Sequence, residues 1–311
     1  MKEFIIKTYL FFLTALISLS TCIFILLVII PPKPNSSISL IHGKTKKDSL
    51  LLNTPSPRII FVGGSNLNFG LNSQFIKDSL KLNPINTAIH GGIGLKFMMD
   101  NTLKYIKDGD VVILVPEYEQ MCGKLIYGSE ELIVTLIEVD KFNSFNSLSI
   151  NQYLNLFNFV FKYSFSKLHP NRFKKHKLLP YYQVNGFNNF GDTYAHWSLG
   201  AEDFSTNKKR FRNINVDAFT LINKFNEDLK EKGATMLLSY PSYQSSAFNE
   251  NSQKIKYIEQ TFLETNLDIL GTPERYKFTD SLMFDTPYHL IYKGVELRTH
   301  LLIEDLKLKG Y

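Results

Sequence analysis

Two stretches of the chain hold side chains that could perform acyl chemistry together. In "RIIFVGGSNLNFGLNS" (58–73) an apolar run ends in Gly63, Gly64 and Ser65. A hydroxyl at such a turn lies near backbone N–H groups and a helix N-terminus, which suits a developing oxyanion. The same serine also reads as a simple helix N-cap. It is not a P-loop residue, since no Gly-Lys-Ser/Thr follows, and the G-x-G-x-x-G and G-x-S-x-G spacings are absent. In "FDTPYHLIYKGVELRT" (284–299), Asp285 precedes His289 by four positions. A serine nucleophile needs a base within hydrogen-bond reach, and the base needs an acid to hold its tautomer. One loop, stiffened by Pro287 and fixed by a helix begun near Lys293, would supply both.

Other residues are candidates for lining a substrate pocket. Asn66 adjoins the serine. His90 could face a cleft or serve as a structural loop histidine. "FNNFGDTYAHW" (187–197) places Asp192, His196 and the single tryptophan, Trp197, within six positions. These could bind a sugar by stacking and hydrogen bonds, or form a hydrophobic cluster. Tyr240, in "SYPSYQSS" after a late strand, also falls at the ligand side. Cys122 and the Met98–Met99 pair read as packing. Cys22 and Cys122 are too few and too far apart for a disulfide framework. No Cys/His spacing suits zinc, so no metal and no cofactor is expected.

The elements that would position these residues follow from hydrophobic patterning. "RIIFVG", "INTAI", "DVVILVPEY" and "ATMLLSYP" read as short buried strands. "SQFIKDSLKL", "LKFMMDNTLKYIKDG" closing at Gly109, "VDAFTLINKFNEDLKEKG" ending at Gly233, "NSQKIKYIEQTFLET" and "GVELRTHLLIEDLKLKG" read as helices. Strands apolar throughout and separated by such helices predict a parallel α/β sheet covered on both faces. In that arrangement ligands sit beyond the carboxyl ends of the strands, where Ser65 falls. Residues 120–215 break the rhythm with aromatic and Asn-rich sequence. They read as an insertion with a helix near 150–165.

The front of the chain is of another kind. Residues 9–30, "YLFFLTALISLSTCIFILLVII", carry no charge and as a helix would span about 33 Å, enough for a bilayer core. "PPKPNSS" follows instead of a cleavage site, so the segment reads as a retained anchor in membrane lipid. The expected layout is a cytoplasmic head (1–8), an anchor (9–30), a tether (31–55) and a body (56–311). The net charge is +6, from 35 basic and 29 acidic residues. The basic clusters near Lys44–Lys47 and in "NRFKKHK" (171–177) lack the interleaving or motif of nucleic-acid binding. Anionic lipid near the anchor, or plain solvation, explains them.

The body resembles the SGNH/GDSL hydrolase superfamily. "VGGSNLNFG" (62–70) is similar to its first block, with Ser65 at the nucleophile position and its own N–H in the oxyanion hole. "NTAIHGGIG" (86–94) is similar to the second, with Gly91 at the oxyanion glycine. "DTPYHL" is similar to the last, with Asp285 as acid and His289 as base. The resemblance spans about 58–308, leaves the insertion unmatched, and implies a three-layer α/β/α, flavodoxin-like domain. Two features depart from the pattern. "VPEYEQ" puts Glu117 or Glu119 where an asparagine donor is usual, and three residues rather than two separate Asp285 from His289. Both resemble a membrane-anchored branch active around surface polysaccharides, including proteins of alginate acetylation and teichoic-acid D-alanylation. That similarity implies O-acyl transfer or ester hydrolysis on a cell-surface glycan by an extracytoplasmic body, with a multi-span acyltransferase as a partner. The other implied role is an inactive scaffold that binds glycan or that partner.

Overall fold

The computed structural model describes residues 1–170, 179–204 and 210–311. The basic cluster 171–177 lies outside the described residues, apart from which each predicted element has a counterpart. Among the described residues seven strands form: β1 (Arg58–Gly63), β2 (Asn83–Asn86), β3 (Val111–Val115), β4 (Thr235–Ser239), β5 (Tyr243–Gln244), β6 (Asp268–Leu270) and β7 (Lys277–Phe278). Five of them make one parallel sheet in the order β2-β1-β3-β4-β6, while β5 and β7 pair separately. The helices are α1 (Lys2–Phe24), α2 (Lys44–Asn53), α3 (Ser65–Asn68), α4 (Ser73–Leu80), α5 (Leu95–Leu103), α6 (Glu130–Val134), α7 (Ile150–Ser166), α8 (Val216–Glu231), α9 (Ser245–Glu250), α10 (Ser252–Leu263) and α11 (Tyr292–Leu308).

Apolar side chains on both pleat faces make the sheet the centre of the body. Ile60, Val62, Val112 and Leu114 join one buried cluster with Leu95, Ile222 and Leu229 from α5 and α8. Ile59, Phe61, Ile113 and Val115 join another with Ile76 of α4 and Leu302 and Leu306 of α11. A continuous apolar run can be buried on both sides only in this way. The strand order reverses between β1 and β3, which opens a crevice beyond their carboxyl ends.

Local chemistry sets where the helices stop. Gly233 takes a left-handed φ of 74° after α8, and the Ala234 N–H returns to the Leu229 carbonyl. Helix α5 ends at Leu103, six residues before the predicted stop at Gly109. The cause is a buried ion pair. Arg58 Nε donates to Asp110 Oδ1 at 2.8 Å, and its Nη2 takes the Tyr105 carbonyl at 2.9 Å. The Lys107 N–H binds Asp110 Oδ2 at 2.8 Å. Backbone groups that would continue the helix are thereby committed to the pair.

At the front, α1 and the π turn that follows it form one helix over Lys2–Ile29, long and apolar enough to cross a membrane. It begins at Lys2, so the expected head is helical and continuous with the span. The stretch expected to be a loose tether is instead folded onto the body. Leu40, Lys44, Lys47 and Leu51 are all buried, and α2 occupies its second half. The predicted insertion helix is α7, opened by reciprocal hydrogen bonds between Ser149 and Gln152.

Removing Asp110 leaves the guanidinium of Arg58 buried without its partner. Asp110→Ala is expected to lower unfolding free energy by about 3–5 kcal/mol, measured by denaturant titration. A loss below about 1 kcal/mol, the level of an exposed pair, would contradict this assignment.

Candidate functional site

β1 and β3 run in parallel with Gly63 opposite Val115, a 52-residue offset. Continued two residues past both strands, that offset sets Ser65 against Glu117. The Ser65 hydroxyl donates to Glu117 Oε1 at 3.2 Å, and the Asn66 N–H donates to the same oxygen at 2.9 Å. Two glycines make room for the carboxylate. A Cβ on Gly64 would stand 2.4 Å from Glu117 Oε1, and one on Gly91 would stand 2.2 Å from Oε2. Gln120 ties the pieces together, accepting from the Glu117 N–H at 2.9 Å and donating to the Gly91 carbonyl at 3.1 Å. Ser65, Gly91 and Glu117 are therefore brought to one point, where the expected asparagine donor is replaced by a carboxylate. The N–H directed at it is that of Asn66, the residue after the serine.

Asp285 and His289 form the second half. The His289 Nδ1 lies 2.7 Å from Asp285 Oδ1. When Nδ1–H donates to the Asp285 carboxylate, Nε2 is left as an acceptor, the state required of a base. Tyr182 donates its hydroxyl to the other Asp285 oxygen. Burial works to raise the Asp285 pKa, but the hydrogen bonds and charge of His289, with the Tyr182 bond, hold it below the usual value. The imidazole stacks on Phe69 at 4.1 Å with planes 9° apart. Phe69 closes the one-turn helix α3, its N–H bonded to the Ser65 carbonyl. The dyad thus packs one turn from the serine. Among the described residues, the Ser65 hydroxyl is hydrogen-bonded to Glu117 and not to His289.

Glu119 faces away from Ser65 and accepts from the Tyr288 hydroxyl, pinning the loop that carries His289. Burial first, then the Glu119 charge, raises the Tyr288 pKa well above normal. Glu119 also borders a cleft of about 500 Å³ lined by Lys124, Ser129, Asn155, Phe159, Arg210 and Arg212. Arg298 of α11 is fully buried and donates to Asn66 Oδ1 and the Gly70 carbonyl, each at 3.2 Å. It clamps the turn after Ser65, and burial lowers its pKa to about 10.

The other predicted pocket residues have structural positions. His90 caps the turn at Gly91, accepting from the Gly92 N–H at 3.0 Å. Tyr240 is buried in the main core. His196 is buried under Phe69, with Nε2 at 3.0 Å from the Leu290 carbonyl, and burial pushes its pKa to about 4. Trp197 packs on Tyr292 of α11 at 5.0 Å. Asp192 is wholly buried and accepts from the Ser73 N–H and hydroxyl and from Asn86, at 2.9, 2.7 and 2.9 Å. It fastens the insertion to β2 and α4. Beside it, Lys47 donates to the Ala88 carbonyl at 2.6 Å and to the Gly191 carbonyl. Sequence reasoning missed Tyr182, Phe69, Gln120, Arg298 and Lys47. Only Phe69, four residues after Ser65, lay where helical spacing could have flagged it.

No protein-family model matches the chain, and no curated protein matches it.

Burial pushes Lys47 down to about 7 against an ordinary 10.5, with the Asp192 charge opposing. Between those pH values the unfolded chain holds a proton that the folded chain has released, so stability rises with pH across the window and is lowest below it. Unfolding free energies measured at about pH 6 and about pH 9 should therefore show a positive slope that is reduced in Lys47→Met. Equal slopes in the two chains would contradict the burial of a titrating lysine.

Proposed function

We propose that the chain is a membrane-anchored, SGNH-like O-acyltransferase or esterase that acts on a cell-surface polysaccharide. The observation that carries the reading is the Asp285–His289 pair packed through Phe69 against the turn of Ser65, beside a glycine-walled pocket that already holds a carboxylate. The parallel sheet order β2-β1-β3-β4-β6 supports a flavodoxin-like reading, in which Ser65, just past β1, lies by the switch point. The N-terminal helix serves as the anchor, with the body on the outer face.

In the reaction, Ser65 Oγ forms a bond to the acyl carbon of an ester donor while its proton passes to His289 Nε2. The tetrahedral oxyanion occupies the space between Gly91 and the Asn66 N–H. The leaving alcohol takes the proton from His289 as the donor C–O bond breaks. A sugar hydroxyl, or water, then attacks the acyl-serine and gives its proton to His289, which passes it to Ser65 Oγ as the acyl–Oγ bond breaks. The cationic, aromatic-edged cleft beside Glu119 is suited to hold the acceptor chain. The Glu117 carboxylate fills that space and its charge opposes the oxyanion, so it rotates out before the ester enters.

A second reading is favoured by the bond that Ser65 makes to Glu117 instead of His289. In it the site is idle, and the body is a scaffold for glycan or for a multi-span acyltransferase.

A serine-directed fluorophosphonate separates the two. We expect stoichiometric labelling at Ser65, none in Ser65→Ala, and faster labelling in Glu117→Gln by roughly tenfold or more, one oxyanion donor being worth about 10²–10³ in rate. No labelling of Ser65 in folded wild type or Glu117→Gln would overturn the enzyme reading in favour of the scaffold.

A further inference from the structure

Helix α7 has two faces of different chemistry. Inward, Gln152, Leu156, Tyr163 and Ser164 are buried, and Asn155 and Phe159 line the cleft beside Glu119. Outward, Ile150, Leu154, Phe157 and Phe165 are 76%, 68%, 62% and 44% exposed, and Leu168 just beyond the helix is 60% exposed. Phe161 fills the gap in this row, its ring 4.9 Å from that of Phe157. Steps of four, three, four, four and three residues keep one face of a 3.6-residue helix, so these six side chains form a single apolar line about 27 Å long. Water is a poor neighbour for a line of that length. Lys162, on the flank of the row, pairs with Glu130 at 2.7 Å.

The far end of α7 shows what covers the line. Lys167 Nζ donates to the carbonyls of Leu27 and Ile30, at 3.1 and 2.9 Å, where the apolar N-terminal helix ends. These are carbonyls that a helix terminus leaves unsatisfied, and a lysine is suited to them. Leu26 is buried at this junction, whereas no residue of α1 itself is buried. The C-terminal ends of the two helices therefore meet, so the Leu168 end of the apolar line lies beside the end of the N-terminal helix.

We infer that α7 is an interfacial helix, its apolar line sunk in the headgroup–acyl boundary of the membrane that α1 crosses. The inference rests on the anchoring reading and extends it, since the body is then held down at two places rather than swinging from one. A helix of this kind inserts its apolar face about 5–10 Å. Its inward face lines the cleft of Lys124, Arg210 and Arg212, so that cleft stands one helix diameter, about 10 Å, above the sunken apolar line, at the level of the headgroups. The substrates that reach it are those held at the membrane surface, such as a lipid-linked or membrane-attached anionic glycan.

The test uses the full-length chain in a Cys22→Ser background, reconstituted in vesicles of phosphatidylcholine and phosphatidylglycerol. Cys122 is buried and stays unlabelled. Spin labels are attached separately in Leu154→Cys, Phe157→Cys and Phe165→Cys, with Asn158→Cys on the polar flank and Leu16→Cys in the anchor as references. Accessibility to oxygen and to an aqueous nickel chelate is then compared. We expect the three line positions to show an oxygen-to-nickel ratio several-fold above that of Asn158→Cys and close to that of Leu16→Cys. Nickel-accessible line positions with a lipid-embedded Leu16→Cys would overturn the inference while leaving the anchor intact. A nickel-accessible Leu16→Cys would remove the anchor and the inference together. Line positions shielded from both reagents would overturn it in favour of a protein partner on α7.

Discussion

The Glu117 carboxylate, seated between two glycines, is the contact on which the candidate site depends. It follows from the pairing of β1 with β3, whose 52-residue offset is also the separation of Ser65 from Glu117. Neither Gly64 nor Gly91 leaves space for a side chain there. The carboxylate gathers the Ser65 hydroxyl and the Asn66 N–H, and Gln120 locks its backbone to the Gly91 loop. A group with one negative charge and two acceptor oxygens is a close stand-in for an acyl oxyanion, so its seat also marks where a reacting ester would lie.

The remainder of the body orients toward this seat from separate parts of the chain. Helix α11 contributes Arg298, which fixes the Asn66 side chain. The loop before α11 contributes the Asp285–His289 pair. The insertion contributes Tyr182, which occupies the second oxygen of Asp285, and Asp192 anchors the insertion to β2 and α4. The same insertion carries α7, which joins the cleft on one side to an apolar line on the other. The insertion thus links the site and the cleft to the end of the N-terminal helix.

The parts of this arrangement that depend on local pattern were legible in the sequence. Strand β3 is apolar at every position and β1 at every position after Arg58, Gly233 stops α8, and Asp285 and His289 share one short loop. Contacts between distant segments were not. Tyr182 and Asp285 are 103 residues apart, and nothing in "PYYQ" marks a hydroxyl bound to a carboxylate. Asp192 and His196 looked like pocket residues because polar groups among aromatics suit a sugar, but burial with full hydrogen bonding satisfies the same pattern for Asp192. Residues 31–55 looked like a tether from their Pro, Ser and Lys content. Their fold depends on Lys47 reaching the carbonyls of Ala88 and Gly191, which no local composition reports. Helix α5 stopped early because of an ion pair between residues 58 and 110, equally invisible to periodicity.

The central claim is that Ser65 carries an acyl group during turnover. Its most direct measurement is peptide mass mapping after brief incubation of the reconstituted chain with an activated acetyl ester and acid quench. The account predicts a mass gain of one acetyl group on the peptide bearing Ser65, lost in His289→Ala. Acetylation confined to lysines, with the Ser65 peptide unmodified at every quench time, would contradict it.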